Sequence, residues 1–87
     1  LVIDDNGALT TLDGLLSLTT VSRHLSIYDN GALTSLDGLS NIEYVGGDLS
    51  IYDNNCLSQS DAEAFAAALT VAGEINVSAN GTNIPCN

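Results

Sequence analysis

Positive charge is nearly absent from this chain. One basic residue, Arg23, and one histidine, His24, stand against eleven aspartates and glutamates, for a formal charge of −10 over 87 residues. Nucleic-acid binding needs a basic footprint that displaces counterions, so no nucleic-acid partner is expected. The same balance disfavours adsorption to an anionic membrane surface, and an acidic exterior keeps a β-rich chain soluble and unassociated. No apolar run approaches the roughly 20 residues of a membrane span. Aromatic residues are equally scarce: Tyr28, Tyr44, Tyr52 and Phe65 are all there are. Any core must therefore be built of Leu, Ile and Val.

Metal-binding and catalytic residue types are thin as well. The two cysteines, Cys56 and Cys86, would need further ligands to hold zinc, and His24 lies in another part of the chain. We read Cys56 and Cys86 as a disulfide that ties the tail down, which points to an oxidising place: periplasm, cell surface or medium. His24 has no catalytic companions beside Arg23, and the aspartates recur in register, as turn residues do. No enzyme is expected, and no cofactor. The chain starts at Leu1, with an apparent strand already under way, so we read it as a processed product or a piece of something longer.

What the sequence does have is a repeat. Ile3, Ile27 and Ile51 are 24 residues apart, as are Asp5, Asp29 and Asp53, and Leu9, Leu33 and Leu57. A fixed period of this size marks a solenoid, in which each coil stacks on the last. In the middle copy Leu25 and Ile27 alternate with Ser26 and Tyr28, the period of a strand with one face buried. From Leu33 through Leu36, Leu39 and Ile42 to Val45 the apolar spacing is three, too tight for an α-helix and suited to extended or 3-10 segments. We therefore expect a mainly β protein: a short right-handed β-solenoid, leucine-rich-repeat-like, with 24-residue coils paired as parallel strands.

The corners support this reading. Asp-Asn-Gly at 5–7 and 29–31 and Asp-Gly at 13–14 and 37–38 are turn sequences, with glycine expected to take positive φ. Asn6, Asn30 and Asn54 should stack as an internal ladder. Gly46 and Gly47 mark a third corner, where the first copy has Ser22 and Arg23 instead. Residues 1–57 then form about two and a half coils, and residues 58–87 form a cap within the same single domain. In the cap, Ser60 and Glu63 match a capping box. It opens an Ala-rich helix over about 61–71, with Phe65 and Leu69 on its inner face and Gly73 closing it. A final strand follows at about 75–78, then the disulfide-tied tail.

The phrases at residues 32–42 and 45–54 resemble the receptor L-domain-like leucine-rich repeats of bacterial cell surfaces, with a similar pattern in fungal cell-wall proteins and receptor L domains. The resemblance covers residues 1–57, and the region from Cys56 to Cys86 looks like the C-terminal cap of the bacterial members. It implies a secreted or surface-anchored solenoid for recognition, adhesion or scaffolding, without catalysis.

Three sets of residues are candidates for function. The polar side of the repeated strand sets Ser26 and Tyr28 beside Ser50 and Tyr52, with Val2 and Asp4 in the first copy, and stacked tyrosines suit sugars or peptide side chains. The column Asp5, Asp29, Asp53 offers hard oxygen ligands that could take calcium, although Asp before Asn-Gly is also ordinary turn chemistry. The third set is an edge. With no coil before it, the first copy would expose an unpaired strand and an apolar cross-section including Val2, Ile3, Leu9 and Leu12, with Leu15, Leu18 and Val21. The partners this suggests are a protein or carbohydrate ligand at the strand face, or copies of the chain itself assembling through that edge into fibres or a surface layer. Asn76 and Asn80 each begin an N-glycosylation sequon.

Overall fold

The computed structural model describes residues 1–81. In chain order the elements are β1 (Val2–Asp4), a 3-10 turn (Asp13–Leu15), β2 (Thr20–Val21), β3 (Leu25–Tyr28), a second 3-10 turn (Asp37–Leu39), β4 (Tyr44–Val45), β5 (Leu49–Tyr52), helix α1 (Gln59–Ala67), β6 (Thr70–Val71) and β7 (Ile75–Ser78). Two parallel sheets result. One runs β1-β3-β5-β7 and the other β2-β4-β6, so each of three successive coils contributes one strand to each sheet and β7 adds a fourth to the first. This is the short leucine-rich-repeat-like solenoid with a C-terminal helix that the period predicts.

The register shows why the repeat is so strict. Ile3 pairs with Ile27, Ile27 with Ile51, and Leu25 with Leu49, each to its own copy 24 residues on. Side chains at one position pack on their equivalents, so whatever fits one coil fits the next. Leu25, Ile27, Leu33, Leu39, Val45, Leu49, Ile51 and Leu57 are fully buried, a core without an aromatic ring. Burying each such side chain contributes about 1.5–3 kcal/mol against the entropy of ordering the coil.

The last coil is longer. Leu49 pairs with Ile75 and Tyr44 with Thr70, an offset of 26. Because Leu57 keeps the 24-residue spacing from Leu33, the two extra residues fall in the segment that carries α1, where a helix replaces the 3-10 turn of the earlier coils. Buried Ala62 and Ala66 lie on the core, with Phe65 and Leu69 packed against it from the side.

Several expectations need correction. The helix is Gln59–Ala67, not 61–71, and its N-cap is Ser58, whose Oγ accepts the Asp61 N–H at 3.4 Å. Ser60 instead shares a hydroxyl–hydroxyl bond with Ser58. The helix ends at Ala68 because residues 70–71 are needed as β6, paired to β4. Gly73 accordingly caps nothing: it lies at the corner over Gly47, with its N–H donating to the Gly47 carbonyl at 3.0 Å. Corners stack this closely at Gly46 too, where a Cβ would overlap the Ser22 backbone, whereas in the first coil Ser22 and Arg23 are exposed. That accounts for the one place where the copies differ most.

Positive φ at the Asp-Asn-Gly corners belongs to Asp5 and Asp29, as it does to Asp53 in the Asp-Asn-Asn corner of the third copy (φ 54–57°), not to Gly7 or Gly31. In the first coil Ile3, Leu12 and Val21 are buried against the second coil, whereas the sequence suggests an open cross-section there; Leu9, Leu15 and Leu18 are half-buried, Leu1, Val2 and Leu16 are exposed, and β1 is the edge strand of its sheet. The Cys56–Cys86 pairing involves a residue outside those described.

Candidate functional site

The asparagine ladder underlies the candidate site. After each sheet strand the chain places Ile27 inward, Tyr28 outward, Asp29 in the left-handed region and Asn30 inward, and the next coil repeats this at 51–54. Asp and Asn tolerate that backbone region better than most residues, which accounts for Asp at this corner. Asn54 is fully buried and fully satisfied. Its Oδ1 accepts the Asn30 N–H and Nδ2 at 3.2 and 3.1 Å, and its Nδ2 donates to Ile27 O and to Asn80 Oδ1, both at 3.0 Å. Asn6, Asn30 and Asn80 make the same kind of rung. Among the described residues no buried side-chain nitrogen or oxygen lacks a partner. A ladder of this kind locks the coils in register.

Register fixes what stands outside. On the outward face of β3 and β5 the rings of Tyr28 and Tyr52 stack with centroids 4.9 Å apart and planes 2° from parallel. That separation matches the spacing of neighbouring strands, so the rings are stacked because the backbones are. Beside them Ser26 pairs with Ser50, and both are half-buried. The row of tyrosines begins with Asp4 on β1 and ends with Ser78 on β7; the row of serines begins with Val2 and ends with Asn76. The Asp4 carboxylate accepts a hydrogen bond from the Tyr28 phenol. This, with some desolvation and the nearby charges of Asp4 and Asp29, pushes the Tyr28 pKa up to about 12. The four predicted face residues, Ser26, Tyr28, Ser50 and Tyr52, thus share one surface. Asn76 and Ser78 extend it; the sequence hid them because Ile75–Ser78 lies beyond the helix and out of 24-residue step.

The other candidates are placed differently. Asp5, Asp29 and Asp53 are exposed and stand one coil apart at the corners. Among the described residues no group of three or more His, Cys, Asp or Glu is placed to hold a metal ion. His24 is exposed at the third corner, where its Nδ1 accepts the Asp48 N–H at 2.9 Å, and Asp48 Oδ1 in turn accepts the Glu74 N–H at 2.8 Å. It links successive corners, with an Asp48 carboxylate oxygen 3.8 Å from its Nδ1. A cleft of about 420 Å³ lies between α1 and the second 3-10 turn, bordered by Leu36, Asp37, Asp61, Phe65 and Ala68. Leu39 and Ile42 in its lining are closed to solvent, and its accessible apolar surface comes from Phe65, Leu69 and the exposed Ala64 and Ala68. Among the described residues no helix is long and apolar enough to cross a membrane.

Compared with protein-family models, with curated proteins and with solved structures, the chain matches none.

Proposed function

We propose that this chain is a noncatalytic recognition or adhesion module, of the receptor L-domain-like leucine-rich repeat kind, working outside the cytoplasm as a secreted or cell-surface protein. Its binding surface is the outward face of β3 and β5, with Ser26, Tyr28, Ser50 and Tyr52 meeting a protein or carbohydrate ligand. The observation that carries this reading is the in-register Tyr28–Tyr52 stack, on coils whose buried side-chain polar atoms, among the described residues, all have partners. Stacked rings held by backbone register give a preorganised apolar platform, flanked here by hydroxyls that have spare hydrogen-bonding capacity. The oxidising location rests on the reading of Cys56 and Cys86 as a pair.

The test is a binding screen of the 87-residue chain on glycan and peptide arrays, repeated with the Tyr28→Ala/Tyr52→Ala double variant. Loss of the hits in a variant that still melts cooperatively supports the reading. Hits that survive the double substitution refute it.

A further inference from the structure

We propose that the Tyr52 end of this face is a seat for an arginine side chain from a basic segment of a partner protein, its guanidinium lying on the ring face turned toward Ser78. The inference rests on the reading of the face as the binding surface, and it names the chemistry the face selects. Its geometric basis is a column of rings that stops one place short. Tyr28 and Tyr52 stack one ring per strand, 4.9 Å apart, and the next position in the row, paired with Tyr52, is Ser78. A serine is too short to cover a phenol ring. One face of Tyr52 is covered by Tyr28 and the other looks toward the Ser78 position, one strand spacing away, which is the slot we assign to the guest. At the opposite end of the row the position beside Tyr28 holds the Asp4 carboxylate.

The polar groups around the slot are compatible with such a guest. Ser78 Oγ donates to Asn76 Oδ1 at 3.3 Å, which leaves the serine oxygen able to accept from an incoming N–H. Asp53, next along the chain from Tyr52, is exposed and adds a carboxylate at the adjoining corner.

Charge decides among planar guests. The chain carries −10 overall, and its lone arginine lies at the first-coil corner. Carboxylates flank the stack at both ends, Asp4 beside Tyr28 and Asp53 next to Tyr52 in the chain. An anionic guest is repelled there, while a neutral sugar ring would gain the stacking without the field. A guanidinium gains both: it is flat, cationic, weakly hydrated, and forked to meet a carboxylate while it stacks. Lysine brings the charge without the plane.

The experiment is an NMR titration of the 87-residue chain at low salt with three probes. They are a short Ser-Arg-Gly-Arg-Ser peptide blocked at both ends, the same peptide with citrulline for arginine, and a neutral glucose hexasaccharide. The arginine peptide is expected to shift Tyr52, Asn76 and Ser78 and to weaken as salt rises. The citrulline peptide, flat but uncharged, is expected to bind roughly tenfold more weakly. Ser78→Tyr, which continues the ring column into the slot, is expected to abolish arginine binding without lowering the melting temperature. Equal binding of the two peptides, no shifts with the arginine peptide, or undiminished binding by Ser78→Tyr would overturn the proposal. If the hexasaccharide alone shifts Tyr28 and Tyr52, the arginine seat is wrong and the binding face stands. If array hits bind elsewhere on the chain, the face itself is wrong.

Discussion

Gln59 completes the asparagine ladder from outside the repeat. Its Oε1 accepts the N–H and the Nδ2 of Asn80 at 3.2 and 3.1 Å, the two bonds that Asn80 Oδ1 takes from Asn54. Its Nε2 donates to the Val77 carbonyl at 2.9 Å, as Asn80 donates to Ile51 and Asn54 to Ile27. The first residue of the helix thus serves as a further rung, reached by one extra methylene.

Gln59→Ala is therefore expected to destabilise the chain by about 1–3 kcal/mol, since it strands donors on a buried asparagine at a site where helix propensity would favour alanine. Chemical denaturation with an unchanged slope is the check. A neutral or stabilising result would mean that water replaces the rung at no cost.

A central rung matters more. Asn54→Ala leaves the Asn30 donors and the Ile27 carbonyl without partners in a fully buried site, and about 3 kcal/mol or more is expected. Asn54→Asp keeps the shape but replaces a donor with an acceptor facing Ile27 O, and should be no milder. Equilibrium unfolding of both variants tests this. Either one within experimental error of wild type would contradict a structural role for the ladder.

The same Asp-Gly turn should respond in opposite ways in two coils. At Gly38 a Cβ would overlap the Leu12 carbonyl of the coil before it, whereas at Gly14 nothing lies within 4 Å. Gly38→Ala should cost about 1–3 kcal/mol through overpacking, and Gly14→Ala should stabilise by about 0.4–1 kcal/mol by restricting the unfolded chain. Paired melts decide it, and equal effects would sink the stacking account.

Alkaline titration should separate Tyr28 from a free phenol. Its pKa is pushed up to about 12 by the hydrogen bond to Asp4 and by surrounding negative charge, against an ordinary value near 10. Between those values the native phenol keeps a proton that the unfolded chain has lost. Its stabilising contribution is thus complete below about pH 10 and is lost as pH rises through about 12. Asp4→Asn should return the phenolate absorbance transition of Tyr28 toward the ordinary value. An unmoved transition would remove Asp4 as the cause.

Most of the fold is legible in the sequence because stacking makes each coil a copy. The period gives the strands, the inward leucines and the ladder through Asn54, and the three-residue spacing anticipates the 3-10 turns. Legibility ends where copying ends. The helix start was misplaced by the Ser60-to-Glu63 pattern, since the choice of Ser58 as N-cap depends on Leu57 being fixed in the core and on Gln59 reaching Asn80. The buried state of Ile3 and Leu12 was hidden for a similar reason: the sequence shows which side chains are apolar, but not how far one neighbouring coil covers them. Ser26, Tyr28, Ser50 and Tyr52 were readable as one face from alternation alone. Ser78 and Asn76 needed the 26-residue offset that the strand pairings of the last coil supply.

The most direct test of the recognition account is to map the best array ligand onto the chain by NMR with assigned tyrosine and serine resonances. The account predicts the largest shifts at Ser26, Tyr28, Ser50 and Tyr52, on the outward face of β3 and β5. Shifts centred on α1, or on the sheet formed by β2, β4 and β6, would contradict it.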